Sequence, residues 1–218
     1  MGYNIAIDGP AGAGKSTIAK LVAKKKGYIY VDTGAMYRGL AIHFLKKGIA
    51  PDDIPAIEAA CDDADVTIGY ENGMQQVYLN GENITAILRN EEVGDMASKS
   101  SGIPKVRATL MDLQQTMART KDVVMDGRDI GTVVLPNADV KVYLTASVEC
   151  RAKRRYLELQ EKGVACDFDE IAKDIEERDY RDMHRETSPL KQAEDAVLVD
   201  SSDMTIDEVA ETICGLCK

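Results

Sequence analysis

Short apolar runs alternate with longer amphipathic stretches along most of the chain. Five of these runs are rich in apolar and β-branched residues and predict strands, at residues 3–7, 29–31, 123–125, 140–144 and 196–199. Near-continuous hydrophobicity of this kind is typical of strands that are covered on both faces. Helices are predicted at residues 15–26, 36–47 and 205–216. This alternation of strand and helix favours an α/β fold built on a doubly wound parallel sheet.

One segment between the second helix and the third strand breaks the alternation. Two strand-like runs, at residues 65–68 and 76–79, are separated by a stretch that contains Asn72-Gly73. An Asn-Gly pair between such runs favours a β-hairpin, so a small antiparallel insert is predicted here. The stretches that follow the hairpin are predicted to be helical, at residues 93–100 and 104–119.

A second departure is the charged segment at residues 151–185. Its pattern is helical but is interrupted at residues 163–166, which contain Gly163. The two predicted helices have almost no apolar face of their own with which to join a core. We therefore expect a helical hairpin that acts as a mobile cover.

The composition is that of an ordinary globular protein, with 44% hydrophobic and 29% charged residues in a chain of 218. No uninterrupted apolar run approaches the roughly 18 residues that predict a membrane span, and the chain opens into a strand-like run instead of a leader-like segment. The five cysteines are odd in number and scattered, which favours reduced thiols. We expect a cytoplasmic protein with no membrane partner.

The charge distribution narrows the class of ligand. The net charge is −10, the opposite sign to that of most proteins that bind long nucleic acids. Seven of the eleven arginines nevertheless lie between residues 128 and 185. A local arginine cluster in an acidic chain indicates a site for a small polyanion, and no nucleic-acid polymer is expected as a partner.

The turn between the first strand and the first helix fits the phosphate-loop pattern G-x-x-x-x-G-K-[ST] in full. Its backbone N–H groups and the helix N-terminus favour an anion, Lys15 reaches the β- and γ-phosphates, and Ser16 supplies a hydroxyl for Mg²⁺. Asp126 ends a hydrophobic strand and is the second predicted Mg²⁺ ligand. The predicted ATP-binding residues are Gly9, Pro10, Ala11, Gly12, Ala13, Gly14, Lys15, Ser16 and Thr17.

Several classes of nucleotide-binding protein share this loop. A GTPase would need a guanine-recognition motif, which the sequence lacks, and motor and transport ATPases are larger. A small chain with a phosphate loop and many arginines fits a kinase of small molecules, because phosphoryl transfer asks mainly for positioning and charge neutralisation. A nucleotide-binding regulatory module that does not transfer phosphate is the alternative from a different class.

Four blocks of sequence resemble the bacterial cytidylate kinases, a family of P-loop nucleoside monophosphate kinases. The blocks lie at residues 7–17, 32–38, 126–134 and 177–185, in the family's order, and they span nearly the whole chain. The third block, with the pattern Asp-Gly-Arg-Asp-x-Gly-Thr, is far more specific than the phosphate loop. Kinases of UMP, AMP or shikimate remain the alternatives within enzymes.

The resemblance implies an architecture and a reaction. The core would be a five-stranded parallel sheet flanked by helices that binds ATP, formed by residues 1–37, 120–150 and 186–218. Residues 38–119, with the insert near 63–100, would bind CMP, and residues 151–185 would form the lid and hinge. A monomer would transfer the γ-phosphoryl group of MgATP to CMP, and also to dCMP, with Mg²⁺ as cofactor.

The resemblance also implies roles for individual residues. The acceptor phosphate would be held by Arg38, Arg128 and Arg185, the cytosine would face Ser98, Arg107 and Asp129, and the ribose would contact Arg178 and Asp182. Thr33 stands where the family often has serine, and it too is expected near CMP. Lys15, Arg128, Arg185 and Arg155 form the predicted catalytic set. Arg155 belongs to a group with Arg151 and Arg154 that would close over the ATP phosphates.

Overall fold

A five-stranded parallel sheet forms the centre of the protein, as the sequence predicts. The computed structural model describes residues 2–217. The strands are β1 Asn4–Asp8, β2 Ile29–Asp32, β6 Val123–Gly127, β7 Val140–Thr145 and β8 Val197–Asp200, and their order in the sheet is β2-β6-β1-β7-β8. In the register of the sheet, Asp8 lies beside Gly127, and Asp32 lies beside Asp126. Four polar or glycine positions therefore meet at the carboxyl edge of three neighbouring strands.

The alternation of side chains along each strand feeds two hydrophobic layers. Ile5 and Ile7 of β1 pack on one face with the first and last helices, whereas Ala6 belongs to the layer on the other face. The prediction that all five strands are covered on both faces is wrong for β8. Val197 and Leu198 are 42% and 56% exposed, because β8 is an edge strand that the other layers do not cover completely.

The helices of the core begin and end at recognisable capping residues. They are α1 Lys15–Lys26, α2 Thr33–Lys46 and α8 Ile206–Leu216. Helix α2 starts three residues earlier than predicted, because the carboxylate of Asp32 accepts a hydrogen bond of 2.9 Å from the backbone N–H of Ala35. A capping box formed by Thr205 and Glu208 starts α8.

The predicted insert is a three-stranded antiparallel sheet. Its strands are β3 Val66–Glu71, β4 Met74–Leu79 and β5 Glu82–Asn83, and the helices around it are α3 Ile54–Ala60, α4 Glu91–Ser100 and α5 Pro104–Thr120. Asn72 and Gly73 form the hairpin turn, with φ of 52° and 74°. The side-chain amide of Gln75 bonds the backbone N–H and C=O of Asp32, at 2.9 and 3.1 Å. The insert is thus fastened to the edge strand of the main sheet.

The charged segment folds as the predicted helical hairpin, with α6 Val148–Glu161 and α7 Phe168–His184. A π-helical turn at Ile130–Val134, directly after β6, was not predicted from the sequence pattern. None of the helices within residues 2–217 combines the length and the apolar composition needed to cross a membrane.

Candidate functional site

The phosphate loop follows β1 and leads into the N-terminus of α1. Gly9 has a φ of 151°, and a Cβ atom at this position would lie 1.9 Å from the carbonyl oxygen of Leu144. Gly14 precedes the first helical residue with a φ of 85°, in the left-handed region that favours glycine. The loop therefore depends on its glycines, and the first N–H groups of α1 are directed at any anion that it binds.

Lys15 lies within this loop and is buried, with 6% of its surface exposed. Its Nζ donates a hydrogen bond of 2.7 Å to the carbonyl oxygen of Pro10. Burial lowers the pKa of Lys15 well below its usual range, and the nearby Arg128 lowers it further, whereas the carboxylate of Asp126 opposes the shift. A buried cation of this kind is stabilised by an added negative charge, such as a phosphate group.

Ser16 and Asp126, the two predicted Mg²⁺ ligands, lie in contact with each other. The Ser16 hydroxyl donates to Oδ2 of Asp126 at 3.0 Å, and the Tyr30 hydroxyl donates to Oδ1 at 2.9 Å. Burial raises the pKa of Asp126 to about 6, and the charge of Asp32 contributes in the same direction. The carboxylate of Asp126 is destabilised by its burial and by the like charge of Asp32. Together with the Ser16 hydroxyl it forms an oxygen donor set that fits a hard cation such as Mg²⁺.

A cluster of arginines and acids lies beside the phosphate loop. The Nε of Arg128 donates to Oδ2 of Asp182 at 2.8 Å, and the guanidinium of Arg178 lies near Arg128. Within the described residues the buried Nε of Arg178 has no hydrogen-bond partner, and burial together with Arg128 lowers the pKa of Arg178 to about 10. The charge of Arg38 also acts on Arg178. The arrangement leaves donors and positive charge available for a phosphate group.

A second group of side chains surrounds Asp129. Its carboxylate forms a buried ion pair with Arg107 and lies 3.7 Å from Nη2 of Arg185. Arg107 also donates to the carbonyl oxygen of Ser101 at 3.3 Å and lies over the ring of Tyr37. Ser98 lies next to this group, since its carbonyl oxygen accepts from the Ser101 hydroxyl at 3.1 Å, and its own buried hydroxyl is without a hydrogen-bond partner in the part of the chain that the structure describes. These groups offer both donors and acceptors, as the recognition of a nucleobase edge requires.

The three arginines of α6 do not lie in one environment. Arg151 is buried and donates to the carbonyl oxygen of Ala11 at 2.8 Å, so it holds the backbone of the phosphate loop in place. Arg154 donates to the carbonyl oxygen of Ser201 at 2.7 Å. Arg155 is exposed and pairs with Glu158 at 3.0 Å. The structure therefore does not bring Arg155 to the other site residues, and its catalytic role stays a prediction.

Thr33 lies at the start of α2 and close to the site. It is buried, and its hydroxyl donates to the carbonyl oxygen of Asp126 at 2.7 Å. A Cβ atom on Gly127 would lie 2.9 Å from this hydroxyl, so the glycine makes the close approach possible. The Thr33 hydroxyl thus joins α2 to β6, and only its acceptor capacity is left for a ligand.

Two acids beside the site, Asp8 and Asp179, were given no role from the sequence. Asp8 ends β1 and accepts from the backbone N–H groups of Ile130 and Gly131, both at 2.7 Å. Burial raises the pKa of Asp8 to about 6, although these two bonds oppose the shift. Asp179 accepts from the backbone N–H of Ala11 at 3.3 Å. A charged residue directly after a buried strand was a usable signal for Asp8, whereas Asp179 is one of many acids in α7.

The sequence is similar to that of a known protein family over nearly the whole chain. The family model described as "Cytidylate kinase" matches residues 5–218. Cytidylate kinases of Caldicellulosiruptor saccharolyticus and Listeria innocua are 50% and 51% identical to it, and each match covers 98% of this chain and 94% and 95% of the relative. The cytidylate kinase of Shouchella clausii is 49% identical over 217 residues, which are 100% of this chain and 96% of that protein.

A solved structure extends the likeness to the fold. It is an uncharacterized protein from Eubacterium ventriosum, with a TM-score of 0.52 and 12% sequence identity, and the match covers 99% of this chain and 97% of that chain. At this identity the likeness concerns the fold alone.

Proposed function

We propose that this chain, which belongs to the cytidylate kinase family and is a phosphotransferase acting on CMP, takes the γ-phosphoryl group from MgATP and also accepts dCMP. The observation that carries the proposal is the position of the arginine cluster. Arg128, which pairs with Asp182 at 2.8 Å, also acts electrostatically on Lys15 of the phosphate loop. Donor and acceptor phosphates would therefore meet within one buried, positively charged site.

On the donor side, the loop N–H groups and Lys15 bind the β- and γ-phosphates of ATP. Lys15 must leave the carbonyl of Pro10, to which it is bonded at 2.7 Å, and this exchange replaces a neutral acceptor with a charged one. Ser16 and Asp126 would hold Mg²⁺ directly or through water, and the cation supplies neutralisation of phosphate charge when bound. We assign no other ligands to it.

On the acceptor side, Arg38, Arg128 and Arg185 hold the phosphate of CMP. Burial lowers the pKa of Arg185, as it does that of Arg178, so a dianion relieves an unfavourable burial of positive charge. Lys15, Arg128 and Arg185 then lie around the transferring group and stabilise the charge on its oxygens. Arg155 joins this catalytic set only after a movement of α6.

The cytosine of CMP is recognised by Asp129 and Arg107, which are paired with each other in the ligand-free protein, and by Ser98. Asp129 accepts from the N4 amino group of cytosine, and Arg107 and Ser98 donate to its N3 and O2 acceptors. Uracil would place a carbonyl oxygen against the carboxylate, which leaves buried polar groups unpaired. Arg178 and Asp182 contact the ribose, and Thr33 lies close to the bound CMP.

The division of the molecule follows from these roles. Residues 1–37, 120–150 and 186–218 form the ATP-binding core, residues 38–119 the CMP-binding part and residues 151–185 the lid and hinge. We further propose that the enzyme is monomeric and works in the cytoplasm, where both nucleotides are available to it.

A coupled assay of ADP release over a panel of acceptors tests the proposal. CMP, dCMP, UMP, AMP and shikimate are each offered with MgATP, and the Lys15→Ala variant serves as the control for contaminating kinases. We expect turnover with CMP and dCMP that greatly exceeds turnover with the other three. Binding of ATP without turnover on any acceptor would refute the proposal and favour a regulatory module.

A further inference from the structure

We propose that Asp8 is a positioning residue: it caps the turn at Ile130–Val134 and thereby keeps the carboxylate of Asp129 turned toward the cytosine. The inference rests on the proposed function, in which Asp129 recognises the base. Asp8 itself lies on β1, next to the phosphate loop, and touches no part of the base in this arrangement.

The capping geometry is complete. Both carboxylate oxygens of Asp8 are used, one by the N–H of Ile130 and the other by the N–H of Gly131, each at 2.7 Å. Asp8 is buried, with 5% of its surface exposed, so water does not compete readily for these bonds. The first N–H groups of a helical turn have no partner within the turn, and here a side chain from another strand supplies both partners.

The residue that would ordinarily cap this turn is Asp129. It stands at the N-cap position, where aspartate is among the preferred residues. In the described structure its side chain nevertheless makes no capping bond, because it pairs with Arg107 and faces Arg185. Asp8 thus caps the turn in place of Asp129, the residue at the N-cap position.

Removal of the Asp8 carboxylate would leave two buried N–H groups without acceptors. The nearest replacement acceptor along the chain is Asp129, which reaches the N–H groups of its own turn by a rotation about its side-chain bonds. That rotation would withdraw the carboxylate from Arg107 and from the base. Loss of Asp8 is therefore expected to act on base selectivity, even though Asp8 is remote from the base.

The test compares Asp8→Asn and Asp8→Ala with the wild type. The asparagine keeps the size of the side chain but can accept only one of the two bonds, and the alanine accepts neither. We expect the ratio of kcat/KM for CMP to that for UMP to fall about tenfold or more in both variants, the usual consequence of an unpaired buried polar group. A loss of activity through Lys15 or the phosphate loop would lower both values together and leave the ratio unchanged.

A matched control is available at the opposite end of β1. Asp139 directly precedes β7, is exposed and accepts from the backbone N–H of Asn4, the first residue of β1, at 2.7 Å, so Asp139→Asn changes a carboxylate bonded to β1 without approaching the site. This variant should retain the wild-type ratio. Amide hydrogen exchange gives a readout independent of activity: compared with Asp139→Asn, the N–H groups of Ile130 and Gly131 should both exchange faster in Asp8→Ala, and one of them should exchange faster in Asp8→Asn.

A double variant separates this inference from the proposed function. In an Asp129→Ala background, where the base-reading carboxylate is already missing, Asp8→Asn should cause no further fall of the ratio. If Asp129→Ala itself leaves the wild-type ratio unchanged, base recognition by Asp129 is wrong and the inference falls with it. If Asp129→Ala lowers the ratio and the Asp8 variants keep it, the positioning role alone is refuted.

Discussion

The contact between Arg151 and Asp179 gives the most direct test of how α6 and α7 support the phosphate loop. Both residues are buried, with 4% and 7% of their surface exposed, and Nη1 of Arg151 lies 2.6 Å from Oδ2 of Asp179. The same guanidinium donates to the carbonyl oxygens of Ala11 and Ala146, at 2.8 and 2.9 Å. Replacement of Arg151 by methionine would keep most of the packing volume and remove every one of these bonds.

The expected cost follows from what is left behind. An unpaired carboxylate of Asp179 would remain buried, and removal of one partner of a buried pair typically costs about 3–5 kcal/mol. For a chain of this size that corresponds to a fall in Tm of roughly 6–20 °C. Because Ala11 belongs to the phosphate loop, we also expect a higher KM for ATP with a smaller change in the KM for CMP.

Thermal unfolding of the ligand-free protein measures this cost, with a control on the same helix. Arg155→Met removes an exposed ion pair, for which a loss below about 0.5 kcal/mol is expected. The double variant Arg151→Met/Asp179→Asn should recover part of the loss, because the stranded charge is gone. A Tm of Arg151→Met within 2 °C of that of Arg155→Met corresponds to a difference of only about 0.5–1 kcal/mol. That result would show that the buried pair does not hold the loop.

Three further predictions concern the rest of the site. Lys15→Ala should lower turnover by orders of magnitude in a folded protein, measured by ADP release, because the positive charge of Lys15 no longer contacts the transferring group. Near-normal turnover would contradict the assignment. Asp126→Asn should raise the Tm of the ligand-free protein at pH 7, since the pKa of about 6 shows that burial disfavours the charged form. That gain should shrink between pH 6 and pH 4 as the wild-type acid binds a proton, and a constant gain would refute the cause. In hydrogen exchange without ligands, residues 151–167 should exchange faster than residues 140–144; equal protection would argue against a lid.

Local pattern was enough to predict most of the sheet and its first helices. The strands are short apolar runs, and the hairpin turn is an Asn-Gly pair, so each element is specified by a few adjacent residues. The exposure of β8 was not predictable in the same way, because its sequence resembles that of an internal strand. Its place at the edge is set by the strand order β2-β6-β1-β7-β8, which depends on contacts between distant segments.

The arginines of α6 show a second limit of sequence reasoning. Arg151 and Arg155 are four residues apart and therefore lie on similar faces of the helix. One is buried against Ala11, whereas the other is exposed and pairs with Glu158. The difference is one helical turn, about 5.4 Å along the axis, which carries Arg155 beyond the phosphate loop. Periodicity gives the face of a helix but not how far along it the neighbouring element extends.

Under the proposed function, the pairing of acids with arginines would make this acidic protein selective for one class of phosphate ligand. In the ligand-free structure Asp182 holds Arg128 and Asp129 holds Arg107, so these guanidinium groups are ordered but not available without competition. A phosphate that takes Arg128 leaves Asp182 buried and in need of a new donor, and the same holds for Asp129 when Arg107 turns to a base. A phosphate ligand that lacks a sugar hydroxyl and an exocyclic amino group would bind the arginines but leave both carboxylates buried without donors. The cost of these unpaired carboxylates would offset the free energy gained from binding the arginines. In the proposed function, selectivity would therefore follow from the acids as much as from the arginines.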